Sequence, residues 1–272
     1  MKVVLFCGGL GLRLREYSES IPKPMVPVGT RPILWHLMKY YAHFGHKDFI
    51  LCLGWQGNTI KDYFLNYNEC LSNNFVLSGG GSQVKLLASD IHDWNITFVD
   101  TGVTSNIGQR LKAVEPYLEG EETFLANYSD GLSNLDLNSL IDFHEEKQAT
   151  ASFLAVKPSK SFHEVRLDDG GLVNDICPLH TSNVWINGGF FVLNRQIFDY
   201  IGPQDELVCE PFHRLIGENK LAAYKFEGYW GVMDTYKEKQ ALDDMVARGD
   251  TPWELWKRPA AAKRPAAVAA RA

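Results

Sequence analysis

No apolar run in the chain approaches the ~18 residues that a membrane-spanning helix needs. The amino end has a single lysine before an apolar strand-like run and no cleavable signal pattern. A membrane partner is therefore not expected, and the cytoplasm is the expected compartment. The five cysteines, at positions 7, 52, 70, 177 and 209, are odd in number, and no two stand as CxxC. That supports neither a disulfide framework nor a zinc site. Cys7 and Cys52 lie in apolar runs, where a free thiol acts as a small hydrophobe. His43 and His46 are three apart with no further ligand types clustered nearby, so a surface or helix-end role is expected of them. The chain also lacks a basic stripe interleaved with aromatics. Its net charge is −6, yet five basic and no acidic residues fall from Lys257 onward, leaving the rest near −11. Such a body does not suit nucleic acid. Residues 257–272 are Ala/Pro/basic low-complexity sequence and are expected to form a disordered, solvated tail. No internal repeat is present.

What the chain does have is concentrated near its start. Val3-Val4-Leu5-Phe6 is short, apolar and bounded by glycine, which predicts a buried strand. It runs into Cys7-Gly8-Gly9-Leu10-Gly11-Leu12-Arg13-Leu14, followed by Pro22-Lys23-Pro24-Met25. Gly8, Gly9 and Gly11 remove side chains where a backbone could approach an anion closely. Arg13 offers a planar fork of donors and Lys23 a point charge. Pro22 and Pro24 restrict the backbone around Lys23. The spacing matches neither GxxxxGK[ST] nor GxGxxG. The glycines alone would fit a plain strand-to-helix turn equally well; the added cations point to a polyphosphate.

Further along, strand-like and helix-like segments alternate. Strands are expected at 49–53, 96–99, 123–126 and 151–156, and helices at about 32–43, 59–67, 108–118, 138–147 and 236–247. This alternation predicts an α/β fold with a mainly parallel sheet, whose ligands sit beyond the carboxyl ends of the strands. Residues 78–82, Ser-Gly-Gly-Gly-Ser, read as a flexible link in an insertion, either a flap near the site or a plain surface loop. Residues 160–185 read as short strands and turns. Tyr128-Ser129-Asp130-Gly131 places a carboxylate just after a strand, and Trp230-Gly231-Val232-Met233-Asp234-Thr235 supplies a second. Each aspartate alone would read as a cap or turn residue. Two carboxylates with phosphate oxygens and waters would suit Mg²⁺.

Gly-Gly-Leu-Gly-x-Arg-Leu followed by Pro-Lys-Pro-Met resembles the signature of the sugar-1-phosphate nucleotidyltransferases. Stretches beginning at Arg31, Lys47, Val99, Tyr128, Ile186 and Met233 are similar to the glucose-1-phosphate cytidylyltransferase branch, in the same order and at nearly the same separations. The resemblance spans Met1 to about Trp256. It implies a three-layer Rossmann-like sandwich, a nucleotidyltransferase domain over 1–256, with a small β-rich sugar-side lobe at about 157–186. The implied reaction is Mg²⁺-dependent joining of a nucleoside triphosphate to a sugar 1-phosphate with loss of pyrophosphate, on this branch CTP and α-D-glucose 1-phosphate giving CDP-glucose. A homo-oligomer is also expected.

By the same resemblance, Arg13, Lys23 and Asp130 would carry catalysis, with Asp130 and Asp234 as metal ligands. Nucleotide contacts are expected from Leu5, Gly8, Gly9, Gly11, Arg13, Lys23, Ser105, Arg110 and Ser129, the last at a position that is usually glycine. Asn187 would face the sugar hydroxyls. Two departures stand out. Leu12 replaces a usual threonine, and Asp175-Ile176-Cys177-Pro178-Leu179-His180 lacks the family's Glu-Lys-Pro, whose lysine meets the sugar phosphate. Lys160, Lys157 or His180 could supply that cation, Lys160 being preferred. The alternatives left open are another sugar phosphate or base, or a catalytically silent nucleotide-sugar sensor.

Overall fold

The computed structural model describes residues 1–9, 21–158 and 162–257. Gly11, Arg13 and Lys160 therefore lie outside the described residues, as does the tail beyond Lys257. In chain order the elements are β1 (Val3–Phe6), β2 (Pro27–Val28), β3 (Arg31–Pro32), α1 (Ile33–His43), β4 (Asp48–Leu53), α2 (Gly57–Leu65), β5 (Phe75–Ser78), β6 (Gln83–Leu86), β7 (Asn95–Asp100), α3 (Ile107–Val114) and β8 (Thr123–Asn127). They continue with β9 (Gly131–Ser133), α4 (Leu137–Lys147), β10 (Ala151–Val156), β11 (His163–Leu167), β12 (Val173–Pro178), β13 (Ile186–Asn194), α5 (Glu210–Gly217), β14 (Leu221–Phe226), β15 (Trp230–Val232) and α6 (Tyr236–Arg248).

Seven strands form the central sheet in the order β14-β10-β13-β8-β1-β4-β7. All neighbours are parallel except at β13, which runs against both β10 and β8. β1 is apolar at every position because both its faces are covered. Val3 and Leu5 join one buried cluster, with Ile33 and Leu34 of α1, Ile60 of α2, Leu140 of α4 and Leu242 of α6. Val4 and Phe6 join the other, with Leu111 and Val114 of α3 and Phe212 and Leu215 of α5. The result is helices on both faces of a mainly parallel sheet.

β1 lies between β8 and β4, the two strands reached from it on opposite sides. The crevice beyond its carboxyl end is a place where such sheets bind ligands. Because β13 runs the other way, its first residues, Ile186 and Asn187, lie at that same edge, opposite Val156 and Ala155.

One expectation needs correction. Residues 78–82 do not break the insertion into an irregular link. They close a hairpin of β5 and β6, and Gly79, Gly80 and Gly81 all take positive φ, at 60°, 66° and 96°. Three consecutive left-handed residues are a conformation that glycine adopts without penalty. The sequence reading also passed over β13, β14 and α5. Within the lobe region the described residues form a two-stranded ribbon, β11 against β12. His43 is the last residue of α1, with its ring edge-on to Phe44 at 5.0 Å.

Candidate active site

The first part of the site is built by the loops that follow β8 and β15. β8 ends at Asn127, whose side-chain carbonyl accepts from the Ser129 N–H at 2.9 Å, while its amide donates to the Tyr41 hydroxyl at 3.2 Å. This turns the chain at Ser129, which has φ 67°. A left-handed residue there explains why glycine is usual at that position. Asp130 follows, and then β9 pairs with β15, Gly131 facing Val232. One step beyond the ribbon, the Met233 N–H donates to the Asp130 carbonyl at 2.9 Å. The short ribbon thus brings Asp130 and Asp234 side by side from distant parts of the chain.

Asp234 precedes α6, which opens with a capping box between Thr235 and Glu238. The Glu238 carboxylate accepts from both the Asp234 and Thr235 N–H groups, at 2.8 and 2.9 Å. Asp234 is therefore held at a helix amino end, where negative charge is favoured.

Lys23 reaches into this pair. It opens a single 3₁₀ turn, Lys23–Met25, closed by Met25 N–H to Pro22 O at 2.8 Å and Val26 N–H to Lys23 O at 3.1 Å. Pro24 and Met25 are buried, so the turn is anchored. The Lys23 Nζ donates to Asp130 Oδ2 at 2.7 Å and to Asp234 Oδ1 at 2.5 Å. Burial works against the ammonium, but the two carboxylates outweigh it and hold the Lys23 pKa above the usual lysine value. Burial raises the Asp130 carboxyl above its usual value; Lys23 opposes that rise and the charge of Asp234 adds to it.

The second part is the loop after β1. The side chain of Arg110, on α3, is buried under it. Its guanidinium donates to Gly8 O at 2.8 Å, Thr101 Oγ1 at 2.7 Å, Leu53 O at 3.2 Å and Val103 O at 3.4 Å. One residue ties together the ends of β1, β4 and β7, and its acceptors among the described residues are all neutral. This gives Gly8 a reason different from the expected one. A Cβ at Gly8 would lie 1.9 Å from an Arg110 nitrogen, and one at Gly54 would lie 2.6 Å from Gly8 O. The missing side chain at Gly8 makes room for the guanidinium. Gly9 meets nothing within 4 Å and is exposed.

Other expected residues fall as follows. Leu5 is fully buried within β1, so its side chain belongs to the core rather than the edge. Ser105 donates to Thr101 O at 2.5 Å and closes its own loop. Ser129 sits against Cys7, whose thiol reaches its Oγ at 3.6 Å and links the β1 and β8 loops. Burial pushes the Cys7 thiol up to about 12, which leaves it a packing residue.

Beside the carboxylates lies a cavity of about 420 Å³, lined by Tyr128, Asp130, Leu179, Asn187, Trp230 and Asp234 among others. Asn187 donates to the Tyr128 hydroxyl at 3.2 Å and accepts from Gly189 N–H at 2.8 Å. Gly189 has φ 77°, and a Cβ there would strike the Tyr128 ring at 2.7 Å. Trp230 forms a wall, its indole N–H donating to Gly188 O at 2.9 Å. Tyr128, Trp230, Asn127 and Glu238 were not singled out from sequence. Two of them carried a legible signal there: Asn127, an Asn two residues before a turn position, and Glu238, three residues after Thr235 in a capping-box pattern. A polar cavity of about 180 Å³ lies past β4 and β7, lined by Gly54, Gln56, Lys61 and Asp100 among others.

The segment that lacks Glu-Lys-Pro forms the end of β12 and a short turn. Cys177 pairs with Glu164 of β11, and Leu179 supplies an apolar wall of the 420 Å³ cavity. Lys157 and His180 line an adjoining cavity of about 440 Å³, which shares Pro158 and Trp230 with the first. The Lys157 ammonium donates to Ser182 O and lies 4.4 Å from the Trp185 ring centroid.

Asp130 and Asp234 could hold a small divalent ion, because their oxygens already converge on one cationic nitrogen. Among the described residues no cluster of three or more His, Cys, Asp or Glu could do so. A site with two protein carboxylates suits an ion that completes its shell with water and phosphate oxygens.

Comparison with known proteins shows the family and the fold. A family model described as nucleotidyl transferase matches residues 2–238. The chain is 38% identical over 259 residues to a probable glucose-1-phosphate cytidylyltransferase of Bacillus subtilis (strain 168), covering 94% of this chain and 100% of that one. It is 38% identical over 257 residues to the glucose-1-phosphate cytidylyltransferase of Salmonella typhi, again covering 94% and 100%. Among solved structures, HddC from Yersinia pseudotuberculosis superposes with a TM-score of 0.67 at 21% identity, over 90% of this chain and 99% of that one, a likeness of fold.

Proposed function

The chain belongs to the nucleotidyl transferase family as a sugar-phosphate nucleotidyltransferase, and on that premise we propose that it joins CTP to α-D-glucose 1-phosphate, giving CDP-glucose and pyrophosphate. An oxygen of the sugar phosphate forms a bond to the α-phosphorus of the nucleotide. The bond from that phosphorus to the bridging oxygen of the β-phosphate breaks, and pyrophosphate carries the electron pair away. No protein nucleophile is required, so catalysis rests on positioning and charge.

The observation that carries this reading is the convergence of Lys23, Asp130 and Asp234 beyond the central strands. Asp130 and Asp234 would hold Mg²⁺, which when bound neutralises phosphate charge and polarises the phosphoryl group. The loop at Gly8 and Gly9 would receive the triphosphate, over the positive charge of Arg110. Arg13, outside the described residues, would face the leaving pyrophosphate. Asn187 and Tyr128 would bind sugar hydroxyls in the 420 Å³ cavity. Leu179 in that wall, together with the missing Glu-Lys-Pro, supports a second reading, in which the same chemistry acts on a different sugar phosphate.

Pyrophosphate release across a panel of nucleotides and sugar 1-phosphates tests both. CTP with glucose 1-phosphate should give the highest kcat/KM. A higher value for another sugar with CTP would select the second reading. Absence of turnover with every pair would overturn both.

A further inference from the structure

We propose that Lys23 and a divalent metal ion are alternative occupants of one carboxylate pair, so that loading the metal transfers the Lys23 ammonium from Asp130 and Asp234 to the incoming phosphates. The inference rests on the reading of Asp130 and Asp234 as metal ligands.

The geometry sets up an exchange. The ammonium lies between the two carboxylates, 2.7 Å from one oxygen and 2.5 Å from the other. A second cation bound by both carboxylates would stand within a few ångströms of it, in a partly desolvated site where like charges repel strongly. One of the two must leave. The carboxylates are fixed from behind, Asp130 through its carbonyl to Met233 N–H and Asp234 through the Glu238 cap. The Lys23 backbone is fixed as well, in its turn between two prolines. The movable part is the lysine stem, with four rotatable bonds.

Charge favours the exchange. Counted on these three described groups alone, two carboxylates and one ammonium sum to −1, which does not favour a triphosphate. A divalent ion neutralises the pair and leaves Lys23 as a free positive charge, so the same groups reach +1. Lys23 is then in the anion-binding state only when metal is present. Metal and triphosphate binding are therefore coupled through one side chain, and the coupling is reciprocal.

Mn²⁺ serves as the probe, with free ion read by electron paramagnetic resonance in the absence of nucleotide and sugar phosphate. Lys23→Met keeps much of the stem and removes the competing charge, and it should bind Mn²⁺ at least ~10-fold more tightly than the unaltered protein. Lys23→Arg, which keeps a cation, should not gain affinity. Equal or weaker binding by Lys23→Met would overturn the exchange, as would failure of every variant to bind. Asp130→Asn and Asp234→Asn separate this from the underlying reading. If neither lowers Mn²⁺ affinity, the metal assignment itself is wrong. A second measurement needs no variant: reductive methylation of Lys23 in the full chain, read by mass spectrometry. Saturating Mn²⁺ should accelerate labelling at Lys23 several-fold, because the amine is released from two carboxylates. An unchanged rate at an Mn²⁺ concentration shown by resonance to fill the site would overturn the proposal.

Discussion

Two cations, Arg110 buried and Lys23 half-buried, stand at the same edge of the sheet, and they are held in opposite ways. Arg110 is surrounded by carbonyls and a hydroxyl, all neutral. Lys23 is held by two carboxylates. The Arg110 charge is thus not neutralised by its described hydrogen-bond partners, whereas two carboxylates face the Lys23 ammonium. An anion suits the first and a divalent cation the second. Burying a guanidinium among neutral acceptors without neutralising its charge is costly unless a counter-ion arrives. The hydrogen-bond partners alone thus support the proposed division between a triphosphate loop and a metal pair.

The largest effect should come from the negative half. Asp130→Asn and Asp234→Asn are each expected to lower kcat at least ~100-fold, roughly 2.7 kcal/mol of transition-state stabilisation. Nucleotide affinity measured without metal should change little. Near-normal turnover at limiting Mg²⁺ in either variant would show that the carboxylates do not act as a pair.

The positive half should respond differently. Arg110→Met leaves Gly8 O without the guanidinium and frees the ends of β1, β4 and β7 from one another. Affinity for nucleotide should fall ~10- to 30-fold, about 1.4–2 kcal/mol, consistent with losing a charged donor to a buried acceptor. The KM for sugar phosphate should stay close to normal. Gly8→Ala should reproduce the nucleotide defect, since its Cβ would occupy the place of an Arg110 nitrogen. An equal rise in both KM values would mean that Arg110 serves general folding rather than the loop.

The unequal legibility of these halves has a physical cause. β1 could be read because a strand covered on both faces is apolar at every position; Pro32 marked the start of α1 to within one residue, standing before the first turn as an extended N-cap rather than in it. The Lys23 turn was legible because two prolines bracket it. The meeting of Asp130 with Asp234 was not written locally. It depends on β9 pairing with β15, two three-residue strands remote in sequence whose register no local pattern fixes. Asn187-Gly188-Gly189 reads as a turn by its dipeptides, yet it opens a nine-residue strand. There the positive φ of Gly189 clears the Tyr128 ring. What fills the space that Gly8 leaves was not legible, because Arg110 comes from a helix far along the chain.

A smaller effect is expected in the cavity proposed for the sugar, which is lined by neither cation. Asn187→Ala removes a donor to the Tyr128 hydroxyl and an acceptor for Gly189 N–H. The KM for sugar phosphate should rise about 5-fold, roughly 1 kcal/mol, with nucleotide KM nearly unchanged. A fall in nucleotide affinity of the same size would join this cavity to the phosphate loop instead.

The smallest effect is expected at Ser129, where the two halves touch through Cys7. Its φ of 67° costs a side-chain-bearing residue roughly 1 kcal/mol that glycine does not incur. Ser129→Gly recovers that strain but widens the conformational freedom of the unfolded chain and removes a weak thiol–hydroxyl contact. The balance should leave the protein about 0.5 kcal/mol more stable, read as a higher midpoint in urea. Activity then decides what the hydroxyl does. If only the backbone at this position faces nucleotide, Ser129→Gly should keep the wild-type KM for nucleotide while gaining stability. A several-fold rise in that KM alone would place the Ser129 Oγ in direct contact with the substrate, so that the serine's retention is functional. A loss of stability would show instead that the Cys7 contact between the loops outweighs the strain in the turn.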